Sequence, residues 1–494
     1  MTATQQTVET TAATLARDSE SLLRHGFRLA LVAGHDDRDA LRAVYLWTAA
    51  GPDRRVELHL PIDRDRPTVP SLAALSYPAG RFEREMHDLY GIHPTDHPLP
   101  RRLVRHQHWP SGWYPMRHDA GPPPNFVDTD GPFPFLTVEG PGVYEIPVGP
   151  VHAGLIEPGH FRFSVVGETI LKLKARLWYV HKGLEKLAEG RTPATALPIA
   201  ERISGDTAVG HTLAYCRAIE DARAVEVPPQ AEQMRAVLLE LERLYNHISD
   251  IGALCNDAGH GILNAHALRV KETLLRINKE TTGHRLLRGG VVPGGAALRT
   301  VPRPERLAEI GADIREIVTL ALGNSLVAER FTGTGVLGTA HARDLGSLGY
   351  VARASGVDLD ARRDHPIGDS PAVPAVPVQS GGDVLARFQQ RAAEIDASLV
   401  LLDTLVRTVG PGAIGGLPEA GGPSSTGVGI VEGWRGTIVH RVELDADQYL
   451  SRLKVVDPSF LNWPALPVAL AGTIVPDFPL VNKSFNLSYA GNDL

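Results

Sequence analysis

Residues 229–258, PQAEQMRAVLLELERLYNHISDIGALCNDA, decide the fold class of the larger part of the chain. Apolar side chains recur at intervals of three and four from Met234 to Leu254, which is the spacing of one buried face of an α-helix. Similar helical patterns recur later, over residues 263–288, 304–328 and 383–409. This part of the chain is therefore predicted to be mainly helical.

Two β-hairpins are predicted at the periphery of these helices. Phe161, Phe163 and Val165 alternate before a turn at Gly167-Glu168, as in a strand with one buried face. Residues 421–445 are Gly-rich and strand-like, with a hairpin turn near Gly433-Trp434-Arg435-Gly436. Together with the helices, these segments define an expected domain over residues 146–494.

The N-terminal part has a different pattern. Short apolar runs at Arg28–Ala33, 41–50 and Val56–Leu60 predict strands, and Gly80–Gly91 predicts a helix that ends at a glycine. We therefore expect an α+β domain over residues 23–109. The remaining segments are assigned by composition, residues 1–22 as a disordered tail and 110–145 as a Pro/Gly-rich connector.

Composition excludes several functions. The 494 residues include 50 Lys plus Arg against 57 Asp plus Glu, so no large basic surface is expected and nucleic-acid binding is not predicted. The two cysteines, Cys216 and Cys255, are too few for a cysteine-bound iron–sulfur cluster. No run of about 18 apolar residues predicts a membrane span. The polar first residues do not resemble a signal peptide.

Two sets of motifs carry a resemblance to known families. Residues 81–103, from Arg81-Phe82-Glu83-Arg84-Glu85 to Arg101-Arg102-Leu103, resemble the smaller peripheral-arm subunit of respiratory complex I. From Gly149-Pro150-Val151-His152 onward the chain resembles the large subunit shared by complex I and the [NiFe] hydrogenases. The matching blocks are Glu157–Phe161, His181–Lys186, Gly289–Gly295, Ala352–Gly356, Arg362–Pro366 and Pro458–Asn462.

The fusion of both subunits in one chain is similar to formate hydrogenlyase large subunits and related membrane-bound hydrogenases. The resemblance implies an electron-transfer subunit of an oxidoreductase complex on the cytoplasmic face of the cell membrane. It also implies a small iron–sulfur subunit and antiporter-like membrane subunits as partners, with any NAD bound by a partner.

The resemblance fails where the hydrogenases bind nickel. Their two CxxC-type pairs supply four thiolates, and the corresponding positions here are Ser204, Thr207, Ser488 and Gly491. Hydroxyl groups stay protonated near neutral pH and cannot replace bridging thiolates. We therefore predict that no [NiFe] centre is present, and that Ser204, Thr207 and Ser488 line the cavity in its place.

The complex I template implies a quinone site, but its contact residues are not plainly retained. His152 survives in the first hairpin loop, whereas the second histidine of that loop falls at Ile156 and the quinone-contacting tyrosine at Gly205. Quinone chemistry would therefore need a remodelled cavity.

Four residues are candidates for handling protons or substrate: Glu157, His152, Asp206 and Arg353. Glu157 matches the first proton relay of the hydrogenases, and a cavity carboxyl with a raised pKa could shuttle protons. The alternatives are structural: a salt bridge for Glu157, loop packing for His152, and a buried ion pair for Arg353. At the level of the whole chain, a true quinone reductase and a non-catalytic scaffold that lost its metal also stay open.

Overall fold

The N-terminal part is a sheet of four strands covered by a helix. The computed structural model describes residues 4–51, 53–126, 131, 133–366, 375–417 and 423–494. The elements of this part are β1 (Thr4–Glu9), α1 (Leu15–Arg24), β2 (Arg28–Asp36), β3 (Leu41–Ala49), β4 (Arg54–Ile62), β5 (Thr68–Pro70), α2 (Tyr77–Tyr90) and β6 (His93–Thr95). The strand order is β1-β4-β3-β2, and β2 to β4 pair antiparallel. Tyr90 and Met86 of α2 lie over Gly34 of β2.

The structure corrects the expected tail over residues 1–22. Its described part, residues 4–22, contains β1 and most of α1, and β1 pairs parallel with β4 from Thr4 to Glu9. The polar, Thr-rich composition suggested disorder, but threonine is β-branched and suits an edge strand. Leu15, which is fully buried, anchors α1 against the core.

The larger part contains the remaining helices and three further sheets. Its strands are β7 (Val143–Val148), β8 (His160–Val166), β9 (Thr169–Arg176), β10 (Val291–Val292), β11 (Gly295–Leu298), β12 (Gly412–Gly415), β13 (Ser425–Gly433), β14 (Gly436–Leu444) and β15 (Leu450–Val456). Its first helices are α3 (Leu184–Ala188), α4 (Pro193–Ala200), α5 (Ala208–Ala222), α6 (Pro229–Asp257), α7 (Gly261–Thr282), α8 (Pro304–Leu322) and α9 (Ser325–Phe331). The later helices are α10 (Thr339–Asp344), α11 (Gly349–Ala354), α12 (Ala361–Asp364), α13 (Val384–Val406), α14 (Pro458–Asn462), α15 (Ala465–Leu470), α16 (Phe478–Phe485) and α17 (Tyr489–Asp493), with a 3-10 turn at Val475–Asp477.

The long helix α6 is the centre of the larger part, as its sequence pattern predicts. Met234, Val237, Leu241 and Leu244 are fully buried, and α7 and α13 pack along the helix. The mixed architecture agrees with the predicted class at a coarse level, because β8 and β9 form the first hairpin and β13 and β14 the second. The boundaries 23–109, 110–145 and 146–494 stay predictions.

Close packing of α5 on β13 fixes the elements that carry the site. A Cβ on Gly429 would lie 1.9 Å from the carbonyl oxygen of Ala214, so only glycine allows this approach. The first turn of α5 is thereby held beside the β13–β14 turn at Trp434 and Arg435. Within the described ranges, no helix combines the length and the apolar character that a bilayer crossing requires.

Candidate functional site

A cavity of about 660 Å³ lies between the loop that joins β7 to β8, the loop before α5 and the C-terminal segment. We call it the central cavity. Its polar lining comprises His152, Glu157, Ser204, Asp206, Asp257, Arg435, Asn482, Lys483, Asn486, Ser488 and Tyr489. Its apolar lining includes Val148, Leu155, Ile156, Phe478 and Leu487. A cavity of this size with mixed walls can hold a small organic molecule.

The two serines predicted from opposite ends of the larger part meet in this cavity. Ser204 Oγ and Ser488 Oγ are 2.8 Å apart, although 284 positions separate the two residues. Ser204 donates its hydroxyl proton to Asp206 Oδ1 at 3.0 Å, so the proton between the serines comes from Ser488. Ser488 Oγ also accepts the N–H of Gly491 and caps α17.

Asp206 is locked by Arg435. The two guanidinium nitrogens lie 2.6 and 2.7 Å from the two carboxylate oxygens, a bidentate pair. Burial alone would raise the pKa of Asp206, but the Arg435 charge and its hydrogen bonds lower it to about 2. Thr207 donates to Asp206 Oδ1 at 3.0 Å and accepts from Trp434 Nε1 at 3.1 Å. Asp206 is therefore ionised near neutral pH.

The four positions that match the nickel thiolates do not fit a [NiFe] group. Two hydroxyls of the set, on Ser204 and Ser488, bond to each other, and the third, on Thr207, bonds to Asp206. A Cβ added at Gly491 would lie 2.6 Å from Asp457 Oδ2, so a cysteine could not enter without displacing that carboxylate. Asp457 is itself held by His211 Nε2 at 2.9 Å.

Glu157 and His152 face the C-terminal segment across the cavity mouth. Glu157 is exposed, and its Oε2 accepts the N–H of Ala490 at 2.9 Å. His152 Nδ1 is 3.1 Å from the Pro150 carbonyl, so Nδ1 carries the proton of the neutral ring. His152 Nε2 then accepts from the Tyr489 hydroxyl at 3.3 Å. Both side chains are open to a bound molecule, and no arginine or lysine pairs with Glu157 in the described ranges.

The mouth of the central cavity is apolar. Val151 and Leu155 have 83% and 102% of their surface exposed, next to the partly exposed Ile156. Ile156 and Gly205, which hold the positions of the two missing quinone contacts, both line the cavity. The cavity therefore combines an apolar entrance with a polar, charged inner wall.

Arg353 does not line the central cavity. It is 1% exposed and donates to Glu394 at 2.8 Å and to Glu432 at 2.8 Å. Arg353, Glu394 and Glu432 belong to a larger buried set of charged and polar side chains, which we call the ion network. Its other members are Glu240, Arg243, His247, Asp360 and Arg362. Of the two roles that the sequence left open for Arg353, the structure shows the buried ion pair and not the cavity role.

A chain of polar contacts joins the cavity wall to the ion network. Asn486 Nδ2 donates to Asp250 Oδ1 at 2.8 Å, and Asp250 Oδ2 is 2.8 Å from Arg391 Nη1. The same nitrogen of Arg391 is 3.3 Å from His247 Nδ1, and His247 Nε2 is 3.4 Å from Glu394. Burial lowers the pKa of His247 to about 4, so its ring is neutral near neutral pH.

Two residues of the site were missed by the sequence interpretation. Arg435 was noted only as part of a hairpin turn, and its pairing with Asp206 depends on a contact between residues 229 positions apart. Glu242 lies on buried α6 and accepts the N–H groups of Val209 and Gly210, at 2.7 and 2.9 Å. Burial raises the pKa of Glu242 to about 8 despite these bonds, and the charge of Asp206 adds to the rise. A glutamate within an apolar helix face was the available signal for Glu242.

Among the described residues, one group of side chains lies close enough together to hold a metal ion, but neighbouring positive charges disfavour metal binding. His35, Asp37 and Glu443 lie close together, yet Arg42 pairs with both carboxylates and Arg441 with Glu443. These guanidinium groups occupy the oxygens that a cation would need. This cluster is therefore a set of ion pairs between the N-terminal part and the larger part.

Three family models match this chain. The respiratory-chain NADH dehydrogenase 30 Kd subunit matches residues 1–124, the 49 Kd subunit residues 257–416, and the nickel-dependent hydrogenase model residues 182–254. The 49 Kd and hydrogenase matches both fall in the larger part of the chain. The models therefore support a fused chain with a complex I-like and hydrogenase-like origin.

Curated relatives agree with the models. Formate hydrogenlyase subunit 5 of Escherichia coli (strain K12) is 31% identical over 95% of this chain and 85% of its own length. Hydrogenase-4 component G of the same strain is 32% identical over 87% of this chain and 77% of its own length. The C/D subunit of an NADH-quinone oxidoreductase, from Bacteroides thetaiotaomicron, is 30% identical over 85% of both chains.

A solved structure shares the fold. The similar chain belongs to a membrane-bound sulfane sulfur reductase, described as an archaeal respiratory membrane complex, with a TM-score of 0.63 and 22% identity. The match covers 72% of this chain and 99% of that chain.

Proposed function

Because this chain belongs to the family of fused large subunits that includes formate hydrogenlyase subunit 5 and hydrogenase-4 component G, we propose that it works without a [NiFe] centre. It would be the electron-transfer subunit of a membrane-associated, complex I-like oxidoreductase. Its central cavity would take the electron acceptor where the hydrogenases hold metal.

One observation carries this proposal. At the four positions matched to the thiolates, Ser204 bonds to Ser488, and Ser204 and Thr207 both donate to Asp206. A side chain at Gly491 would clash with Asp457. The arrangement leaves no soft ligand for nickel, whereas the cavity beside it has the size and mixed walls of a site for an organic molecule.

A quinone is the acceptor that the cavity suits best. At the mouth, the lining residues Leu155 and Ile156 can contact an isoprenoid tail, while the inner wall offers hydrogen bonds to a headgroup. Reduction of a quinone to a quinol takes two electrons and two protons. The electrons would come from an iron–sulfur cluster of a partner subunit, because the chain has only two cysteines, both buried.

The protons would pass through the exposed cavity residues. Glu157 is open to solvent and unpaired by any cation in the described ranges, so it can exchange protons with water and with a bound headgroup. His152, with its Nε2 facing Tyr489, would be a second relay for the protons that the headgroup takes up. Asp206 is held ionised by Arg435, so at neutral pH it has no proton to give and would only orient the headgroup.

The expected setting is the cytoplasmic face of the cell membrane. There a small iron–sulfur subunit would dock on the larger part, and antiporter-like membrane subunits would couple the reaction to ion transfer. The chain would attach to the membrane through these partners.

The test uses the complex purified from native membranes by a tag on this chain. We expect no stoichiometric nickel by elemental analysis, iron–sulfur partners by mass spectrometry, and reduction of a short-chain ubiquinone or menaquinone by the complex. Glu157→Gln should assemble normally and lower turnover at least tenfold, whereas Glu316→Gln on the exposed face of α8 should leave it unchanged. Stoichiometric nickel would refute the proposal.

The second candidate function is a scaffold that lost its chemistry. The bidentate Asp206–Arg435 pair favours it, because a carboxylate fixed in this way can stabilise the fold without contacting a substrate. A scaffold predicts that Glu157→Gln changes neither assembly nor the activity of the complex, so the same variant separates the two functions.

A further inference from the structure

A second cavity, of about 520 Å³, lies at the contact between the N-terminal part and the larger part. We call it the interdomain cavity. From the N-terminal part it is lined by Leu23, Arg28, Leu29 and residues 73–78. From the larger part it is lined by Ala342, Arg343, Asp344, residues 346–348, Val357, Leu359 and Leu461. It shares no lining residue with the central cavity.

One wall of this cavity holds a buried hydroxyl that lacks a partner. Ser347 is 1% exposed, and in the described part of the chain its Oγ has no hydrogen-bond partner. Its backbone, by contrast, is bonded to Ala342. An unpaired hydroxyl in an apolar wall is costly, so such groups commonly face water or a ligand.

Arg28 lines the same space. It is half-buried, and among the described residues its guanidinium has no hydrogen-bond or ion-pair partner. Glu432 and Asp364 attract it only at longer range, and burial lowers its pKa. A second guanidinium, on the exposed Arg343, stands at the rim beside the exposed Asp344, whose charge water screens.

The first turn of α2 adds a further positive potential. Ser76, Tyr77 and Pro78 line the cavity, and the Ser76 side chain makes no capping hydrogen bond. The N-terminus of a helix attracts anions through its dipole. In this turn Pro78 has no N–H and the N–H of Ala79 is bonded to the Ser76 carbonyl, so the dipole supplies most of the attraction. The other walls are apolar, formed by Leu29, Leu75, Leu348, Val357, Leu359 and Leu461.

We propose that the interdomain cavity binds a small soluble oxyanion with an apolar body, a carboxylate or phosphate monoester. The anion would lie between Arg28 and the first turn of α2 and would accept a hydrogen bond from Ser347. The apolar body would rest on the leucine walls. The volume suits one short apolar group and is too small for a two-chain lipid.

The proposed site needs residues from both parts of the chain. Arg28 and the α2 turn come from the N-terminal part, whereas Ser347 comes from the larger part. A bound anion would therefore join the two parts and stabilise their contact, so that its concentration controls how firmly they are held together.

The experiment measures binding of n-hexyl phosphate to the full chain by calorimetry and its effect on the melting temperature. We expect saturable binding and a higher melting temperature with n-hexyl phosphate, and much weaker effects with inorganic phosphate or with hexanol. Equal effects of hexanol would show that the charge plays no part, and equal effects of inorganic phosphate would show the same of the apolar body. Either result overturns the proposal, as does no binding of n-hexyl phosphate.

Variants locate the binding. Arg28→Gln should weaken the affinity at least tenfold, and Ser347→Ala several-fold while leaving the unliganded melting temperature unchanged or higher. The matched control is Ser355→Ala, because the Ser355 hydroxyl is buried but already bonded to Val351 and does not line the cavity. It should lower the melting temperature without changing the affinity. Unchanged affinity in Ser347→Ala, which should fold even if Arg28→Gln does not, would also refute the site.

Discussion

The central cavity and the ion network show two ways in which this fold holds charged groups. In the cavity, Asp206 pairs with a single guanidinium and its side chain keeps 39% of its surface exposed. In the network, Arg353, Glu394 and Glu432 are at most 1% exposed, and each contacts more than one partner.

The difference indicates which charged residues can be replaced without a large loss of stability. Water can replace a lost partner in the cavity, whereas a charge left alone in the network stays buried and uncompensated. Substitutions of cavity residues are therefore tolerated more easily, whereas substitutions of network residues destabilise the fold. The proposed replacement of the nickel thiolates by Ser204, Thr207, Ser488 and Gly491 would be a change of this kind.

The largest effect is expected from breaking the network. Arg353→Met removes the partner of two buried carboxylates and should lower the free energy of unfolding by about 3–5 kcal/mol. The matched control is Arg363→Met, ten positions along the chain, where the guanidinium is 52% exposed and its removal should cost about 0–1 kcal/mol. Denaturant unfolding followed by circular dichroism measures both. Equal losses would show that burial of the network adds nothing to the cost of losing an arginine.

The next effect concerns Glu242, a buried carboxyl that has backbone donors and, among the described residues, no guanidinium partner. Its pKa of about 8 exceeds the pKa in the unfolded chain. At pH values between the two, Glu242 is protonated in the folded state and ionised in the unfolded state. Stability from this group is full below the unfolded pKa and declines as the pH rises toward 8. Relative to Glu242→Gln, the wild type should therefore lose up to about 1.4 kcal/mol per pH unit over that window.

Melting temperatures of the wild type and Glu242→Gln from pH 5 to pH 8 test this slope. Because glutamine accepts only one of the two backbone N–H groups, a constant offset is expected, and only the change with pH is diagnostic. A difference that does not vary with pH would show that Glu242 is ionised throughout.

The sequence predicted the elements better than the contacts between them. The spacing of apolar residues places α6 at 229–258 and the structure has Pro229–Asp257, because periodicity reflects burial directly. The edge strand β1 was missed because one strand face against a sheet edge needs few apolar residues. Matching to a family placed Ser204 and Ser488 at one site, and the structure brings their oxygens together.

The charge pairs could not be predicted in the same way. Arg435 finds Asp206, and Arg353 finds Glu394 and Glu432, only through the folded backbone. A basic residue in one segment has many acidic residues within reach in the sequence, and nothing local distinguishes the partner. For this reason the sequence left Arg353 open between a cavity role and a buried ion pair, and Arg435 was not recognised.

A smaller effect is expected at Gly491, in the helix that follows the cavity residue Ser488. Gly491→Ala would place a Cβ 2.5 to 2.6 Å from the carboxyl group of Asp457, and overpacking of this kind costs about 1–3 kcal/mol. Gly154→Ala is the matched control, because that glycine lies in the cavity loop with open space around its Cβ position. Thermal unfolding should separate them, and equal stability of the two variants would mean that Asp457 moves aside and a thiolate could fit.

The smallest effect compares one hydroxyl from each region. Ser204→Ala removes bonds to Asp206 and Ser488 that cavity water can replace, so the free energy of unfolding should fall by only about 0.5–1 kcal/mol. Ser398→Ala removes the hydroxyl that donates to buried Glu240 in the network and should cost about 1.5–3 kcal/mol, since no water can reach that carboxylate. Denaturant titration of both variants measures the difference. If Ser204→Ala proves the more costly, the hydroxyl set holds the fold itself, and the cavity is a structural replacement for the metal instead of a site open to new chemistry.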